Sequence, residues 1–399
     1  MGKTRPPERN KRNKKPSQNG SPSKSPTQLL SDAASLLEIS EPQSALKAAL
    51  KALKQLRQTA NATERLPALA LLGEISLQLG DVESARAYFA ESAEIDPQGE
   101  VPEERGGGPE KFFWLAQLSD EGGMDSVRWY ERGADVLRKQ IARAVAQGGG
   151  NDDEADLDPE LHENRVKLAN ALCGIAEVYM TDLSFDDAEA EKQCNKAVEE
   201  ALSVAPDQPT TLQTAASVRI SQLRKEDARE LLTASLELWK DLDPEDPDVP
   251  DFATRISLSR LLMEAEMEDE AIEVLERLIR EDDLSVEAWY LGGWCLHLLS
   301  QKEKAKPAAA AAAGDDGVDE EEELMRRSRS WLLKSLKLYQ LLDYEDERLK
   351  EHALELVKSM NEVLGEPEAG EDEGATEDGW EDAESDGDDE DEDEEMVGG

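Results

Sequence analysis

Apolar residues recur along most of this chain at the i, i+3, i+4, i+7 spacing that gathers them on one side of a helix. Ser44–Leu56 (SALKAALKALKQL) and Asp269–Ile279 (DEAIEVLERLI) are clear instances. Val and Ile alternation of strand length is missing, so the pattern predicts an all-α protein. The periodicity stops in three internal stretches where acids cluster with Gly, Pro or Ala: 148–158, 241–251, and about 302–324, which contains AAAAAAGDDG and DEEEE. All three are expected loops. The last is too long for a connection in a compact domain and is expected to be a disordered acidic insertion.

The helical segments repeat. In the second unit Ala85, Phe89, Ser92 and Pro97 follow Gly73 by 12, 16, 19 and 24 residues. That spacing is the tetratricopeptide pattern of stacked helix pairs, each with a helix A and a helix B. A small residue at Gly73 lets the two helices approach, Ala85 fills the contact from the other side, Phe89 supplies bulk between repeats, and Pro97 stops helix B. Similar offsets recur at Ala33, Ala45, Ala49 and Ala52; at Ala216, Ala228, Leu232 and Ser235; and at Ser259, Ala271, Leu275 and Leu278. Two further repeats stretch the turn: Cys194, Val198 and Ala201 fit a helix B although Gly174 lies 20 residues upstream, and Ser328, Leu332 and Ser335 follow Gly293 only after the acidic run. A weaker match at Ser126, Tyr130 and Gly133 follows FFWLAQL, where helix A is expected to be short. The prediction is a solenoid of about seven helix pairs over residues 29–364 with a final capping helix near 344–364. A basic leader, 1–28, and an acidic tail, 365–399, lack periodicity and are expected to be disordered.

Charge changes the picture from architecture to partner. Among 399 residues, 91 acids face 45 Lys and Arg, for a formal charge of −46. The leader carries +7, the tail −19, and the solenoid the remaining −34. A field of this sign repels nucleic acid and favours a basic polypeptide. It also favours a monomer that binds one client. No apolar run approaches the ~20 residues of a membrane span, and no apolar segment follows the basic leader. The three cysteines, Cys173, Cys194 and Cys295, form neither a disulfide framework nor a CxxC pair and read as buried apolar residues of a reducing compartment.

Arrays of this kind bind through the face lined by their A helices. Groove-facing side chains are expected one and four residues after the small position and three before it. That places Glu74 with Ala70 and Leu77, Gln213 with Ser217 and Ile220, Arg260 with Ile256 and Met263, and Tyr290 and Trp294 with His297. Such a mixture suits a basic extended segment held by aromatic rings and carboxylates. Catalytic chemistry finds no support: the histidines (His162, His297, His352) lack metal spacing, and phosphate-binding and nucleophile-elbow motifs are missing. No cofactor is expected. Lys11, Arg12, Lys14 and Lys15 form a candidate nuclear-localisation patch. In the tail, Trp380 is an unusual aromatic and Ser385, three residues before Asp388, is a candidate site for acid-directed phosphorylation.

The leader PPERNKRNKKP, the third-repeat sequences FFWLAQLS and DSVRWYERG, the fourth-repeat end EALSVAPDQP and the tail GWEDAESDGDDEDEDEE together resemble one family. It is the dedicated assembly chaperones of the fourth large-subunit ribosomal protein, described in fungi, and the resemblance covers residues 29–399. It implies a protein that binds its newly made ribosomal client, largely through a long internal client loop, keeps it soluble, and travels with it from cytoplasm to nucleus. An import receptor and the pre-ribosome are the further partners implied. The charge equally permits a general acidic chaperone for basic nuclear proteins such as histones, whereas a third reading, a passive scaffold, predicts stable partners of ordinary charge and little salt sensitivity.

Overall fold

The computed structural model describes residues 24–147, 158–183, 188–305 and 320–365. Among them are fifteen α-helices and no strand. They fall into seven A/B pairs and one closing helix. The pairs are α1 Pro26–Glu38 with α2 Pro42–Leu56, α3 Leu66–Gln78 with α4 Val82–Ile95, and α5 Glu110–Gln117 with α6 Gly123–Gln147. Then come α7 Pro159–Thr181 with α8 Ala188–Val204, α9 Pro209–Ser221 with α10 Lys225–Glu237, and α11 Phe252–Glu264 with α12 Glu268–Glu281. The last pair is α13 Val286–Ala305 with α14 Glu320–Leu341, and α15 Glu347–Leu364 closes the array. The chain divides into two compact units, 1–164 and 165–399, with the boundary inside α7. No described helix is long and apolar enough to cross a membrane.

One turn geometry builds several pairs. Helix A ends on a residue with positive φ, and the amide after it reaches back to a carbonyl five residues earlier, the 6→1 bond of a Schellman cap. Gly80 holds that position in the second pair at φ 74°, and Ser40, Leu223 and Glu266 hold it elsewhere. The returning bonds are Glu41 N to Leu36 O at 2.8 Å, Asp81 N to Ser76 O at 2.8 Å, Arg224 N to Arg219 O at 2.8 Å and Met267 N to Leu262 O at 2.9 Å. Glycine reaches this conformation freely, whereas Leu223 does so against its Cβ and with 86% of its surface exposed.

Close approach in the second and last pairs depends on missing side-chain atoms. A Cβ on Gly73 would lie 2.3 Å from the Phe89 ring, and one on Gly292 would lie 2.3 Å from Trp331. Phe89 is 2% exposed and stacks on Trp114 at 5.9 Å, which joins the second pair to the third. Trp331 meets Trp289 edge to face at 5.2 Å. The loop before α5 is pinned from below: Lys111 is 4% exposed, pairs with Asp96 at 2.8 Å and donates to the Gly108 carbonyl at 2.8 Å. Burial lowers the Lys111 pKa, and Asp96 opposes that shift.

The ends of the expected segments need correction. Helix α1 begins inside the expected leader because Ser25 caps it: the Gln28 amide donates to Ser25 Oγ, the Ser25 amide donates to Gln28 Oε1, and Pro26 fits the first turn. The expected insertion, about 302–324, is helical at both margins. Lys302 and Lys304 suit the C-terminal end of α13, Glu320–Glu323 suit the first turn of α14, and Lys304 pairs with Glu321 at 2.8 Å. Its centre, 306–319, lies outside the described residues, as do most of the leader with Lys11, Arg12, Lys14 and Lys15, and the tail from residue 366 with Trp380 and Ser385. The expected stretch 241–251 is a turn-rich connection, and α5 is short, at eight residues.

Candidate functional site

A side-chain bond that crosses the pair fixes the register of the A helices. Ser126 Oγ donates to the Ala116 carbonyl at 2.8 Å, Ser328 Oγ to Gly293 at 2.7 Å, and Cys194 Sγ approaches the Ala176 carbonyl at 3.7 Å. The helix-B residue is the same repeat position in all three, so its partner marks the small position of helix A. In the fourth pair that position is Ala176, not the Gly174 expected from sequence. The residue after it, Glu177, therefore stands where Glu74 stands in the second pair. Within the second unit, successive A helices pack together more than successive B helices do, so the A helices line the inside of its curve.

Glu74 and Glu177 share an unusual environment. Both are open to solvent, yet neighbouring protein desolvates them and raises their carboxyl pKa values. For Glu74, burial is the larger cause and the like charge of Glu110 adds to it. Neither carboxylate is in an ion pair among the described residues. Access combined with partial desolvation is what a concave surface gives, and it leaves each carboxylate seeking a cation.

The other expected groove residues separate. Gln213 is 5% exposed and its amide points at Ser235 Oγ, 3.4 Å away on the paired helix B, so it belongs to the interior and not to the face. Arg260 is exposed and forms an ion pair with Glu287 of the next helix A. Tyr290 and Trp294 lie side by side with ring centres 6.0 Å apart. They are half-buried because α15 covers them: His352 Nδ1 is 2.7 Å from the Tyr290 hydroxyl, and its ring meets Trp294 edge to face at 5.0 Å. Burial first, then Asp346, raises the Tyr290 pKa. In the first unit, Phe113, Trp114, Trp129 and Tyr130 are half-buried, and Arg132 lies 4.7 Å over Trp129 and 4.9 Å over Phe112. Glu74 lies in the first unit; Glu177, Arg260, Tyr290 and Trp294 lie in the second. Glu177 was hidden from sequence reasoning because a glycine two residues earlier offers a better small residue than Ala176. Among the described residues no group of three His, Cys, Asp or Glu could hold a metal ion.

Stacked helix pairs with unneutralised carboxylates and half-buried rings on their A helices define a tetratricopeptide-repeat binding protein. A tetratricopeptide-repeat model matches residues 33–100 and 257–319. A protein of Emericella nidulans named "Probable assembly chaperone of rpl4" is 47% identical over 367 residues, spanning 90% of this chain and 89% of its own. A Schizosaccharomyces pombe protein of the same name is 32% identical over 319 residues, spanning 80% of this chain and 86% of its own. The solved structure of residues 1–338 of the assembly chaperone of RpL4, Acl4, is 50% identical, superposes with a TM-score of 0.62, and covers 70% of this chain and 98% of its own. This chain belongs to the family of assembly chaperones of rpl4.

Proposed function

We propose that this protein is the dedicated chaperone of newly made rpl4, binding its basic segments on the A-helix faces and shielding them until large-subunit assembly. Family membership supplies the client. The observation that carries the mechanism is the pair of accessible, desolvated and unpaired carboxylates at equivalent repeat positions, Glu74 and Glu177. A Lys or Arg of the client would neutralise each one, turning an electrostatic penalty of the free protein into a charge-assisted hydrogen bond of the complex.

No catalytic step enters this reading. The client's basic segments are later needed for rRNA, whose phosphate density exceeds that of the carboxylate face, so competition by rRNA releases the client without nucleotide hydrolysis. The protein binds its client as a monomer in the cytoplasm. The Lys11, Arg12, Lys14 and Lys15 patch then engages an import receptor, and the complex reaches the pre-ribosome in the nucleus.

Titration of the full chain with purified rpl4 and, separately, with core histones tests the reading. A one-to-one complex with rpl4, at least about 100-fold tighter than with histones and weakened by salt, is expected. Equal affinity for both would make the protein a general acidic chaperone instead.

A further inference from the structure

In a chain whose acids outnumber its bases by 91 to 45, a cleft between α8 and the C-terminal end of α9 has the opposite character. Its volume is about 660 Å³, and Lys192, Lys196, Arg219 and Arg224 line it together with two acids, Glu191 and Glu199. The arrangement keeps part of the positive charge available. Arg219 is held by neutral amide oxygens, Asn195 Oδ1 at 2.6 Å and Gln222 Oε1 at 3.0 Å, and Gln222 in turn donates to Glu191 at 3.2 Å. Lys196 is in no ion pair among the described residues, and Lys192 stands 3.7 Å from Glu189 with both side chains largely exposed. Arg224 is shared with Asp227. None of the A-helix positions Glu177, Ser217, Arg260 and Trp294 lines the cleft, so the client face does not account for it.

We propose that this cleft receives the acidic run Asp388–Glu395 of the chain's own C-terminal segment. Charge complementarity is the first argument. The run has eight successive carboxylates against the four bases of the cleft. Reach is the second. Helix α15 ends at Leu364, and the 24 residues from there to Asp388 extend to about 80 Å. Three helix pairs separate α15 from α8, which at ~10 Å per layer is about 40 Å. Tethering is the third and decides for this segment over a free acidic peptide. The cleft carries four bases against two acids, a modest excess, which a peptide at micromolar concentration fills poorly. A segment on the same chain presents itself at about millimolar effective concentration. A basic client that draws the run to itself empties the cleft.

The test places p-benzoylphenylalanine at Met396, next to the run, in the full chain without client. Irradiation should give an intramolecular crosslink whose peptides map to Ala188–Glu199 and Arg219–Arg224. The triple variant Lys192→Glu, Lys196→Glu, Arg224→Glu changes exposed side chains and should keep its helical circular dichroism while losing at least about five-fold of that crosslink. Sodium chloride at about 0.5 M should lower it similarly. Crosslinks scattered over the surface, concentrated at another site, formed only between molecules, or unchanged in the triple variant would overturn the proposal.

Discussion

Ser328 Oγ donates a 2.7 Å hydrogen bond to the carbonyl of Gly293, 35 residues earlier, and so closes the last helix pair across the acidic run. Ser328 is fully buried, and its hydroxyl is the side-chain donor at that carbonyl. Replacing Ser328 with Ala removes the bond and leaves a buried acceptor partly unmet. Urea unfolding should show a loss of about 1–2 kcal/mol with an unchanged m-value.

Glu74 and Glu177 separate stability from binding. Their folded-state pKa values are raised, so the folded protein holds these protons longer than the unfolded chain. That linkage favours folding at pH below the unfolded values and is lost as pH rises through the folded ones, leaving a penalty at neutral pH. The variants Glu74→Gln and Glu177→Gln should therefore melt at or slightly above the parent temperature at pH 7 while each weakens client binding about three- to ten-fold. Binding by the parent should also weaken as pH falls through the carboxylate range. A purely structural role would give the reverse, with lower melting temperature and intact binding.

Gly73 tests the packing argument. A Cβ there would meet the Phe89 ring at 2.3 Å, and the ring is itself stacked on Trp114. Gly73→Ala gains about 1 kcal/mol of helix propensity but forces the ring to move, so a net loss of about 1–2 kcal/mol is expected in thermal or urea unfolding.

The cysteines are buried apolar residues. Burial pushes the thiol pKa of Cys173 and Cys194 up to about 11 and that of Cys295 up to about 12. At pH 8 a disulfide reagent should titrate none of the three within minutes in the native protein and all of them in guanidinium.

Much of this architecture was legible because the repeat writes itself into spacing. Small residues at the Gly73 and Ala85 positions and an apolar residue at the Phe89 position recur where helix A crosses helix B, so the all-helical class and the seven pairs follow from offsets. What failed was local. Gln213 is polar and sits at a groove offset, yet Ser235 offers it a partner inside the pair. Ala176 lost to Gly174 because a glycine is the stronger signal where both are small. Tyr290 and Trp294 were expected in the open, but a closing helix needs an apolar surface to cover, and α15 takes this one with His352. The helix ends at Pro26, Ala305 and Glu320 were missed because caps and terminal charges extend helices into polar sequence that carries no periodicity.

The most direct test of the account is affinity purification of the tagged full chain from growing cells, with quantification of every co-purifying protein. The account predicts rpl4 at about one copy per chain, and its loss from the double variant Glu74→Lys, Glu177→Lys with the fold retained. A purification with no dominant ribosomal protein, or with rpl4 unaffected by the double variant, would contradict it.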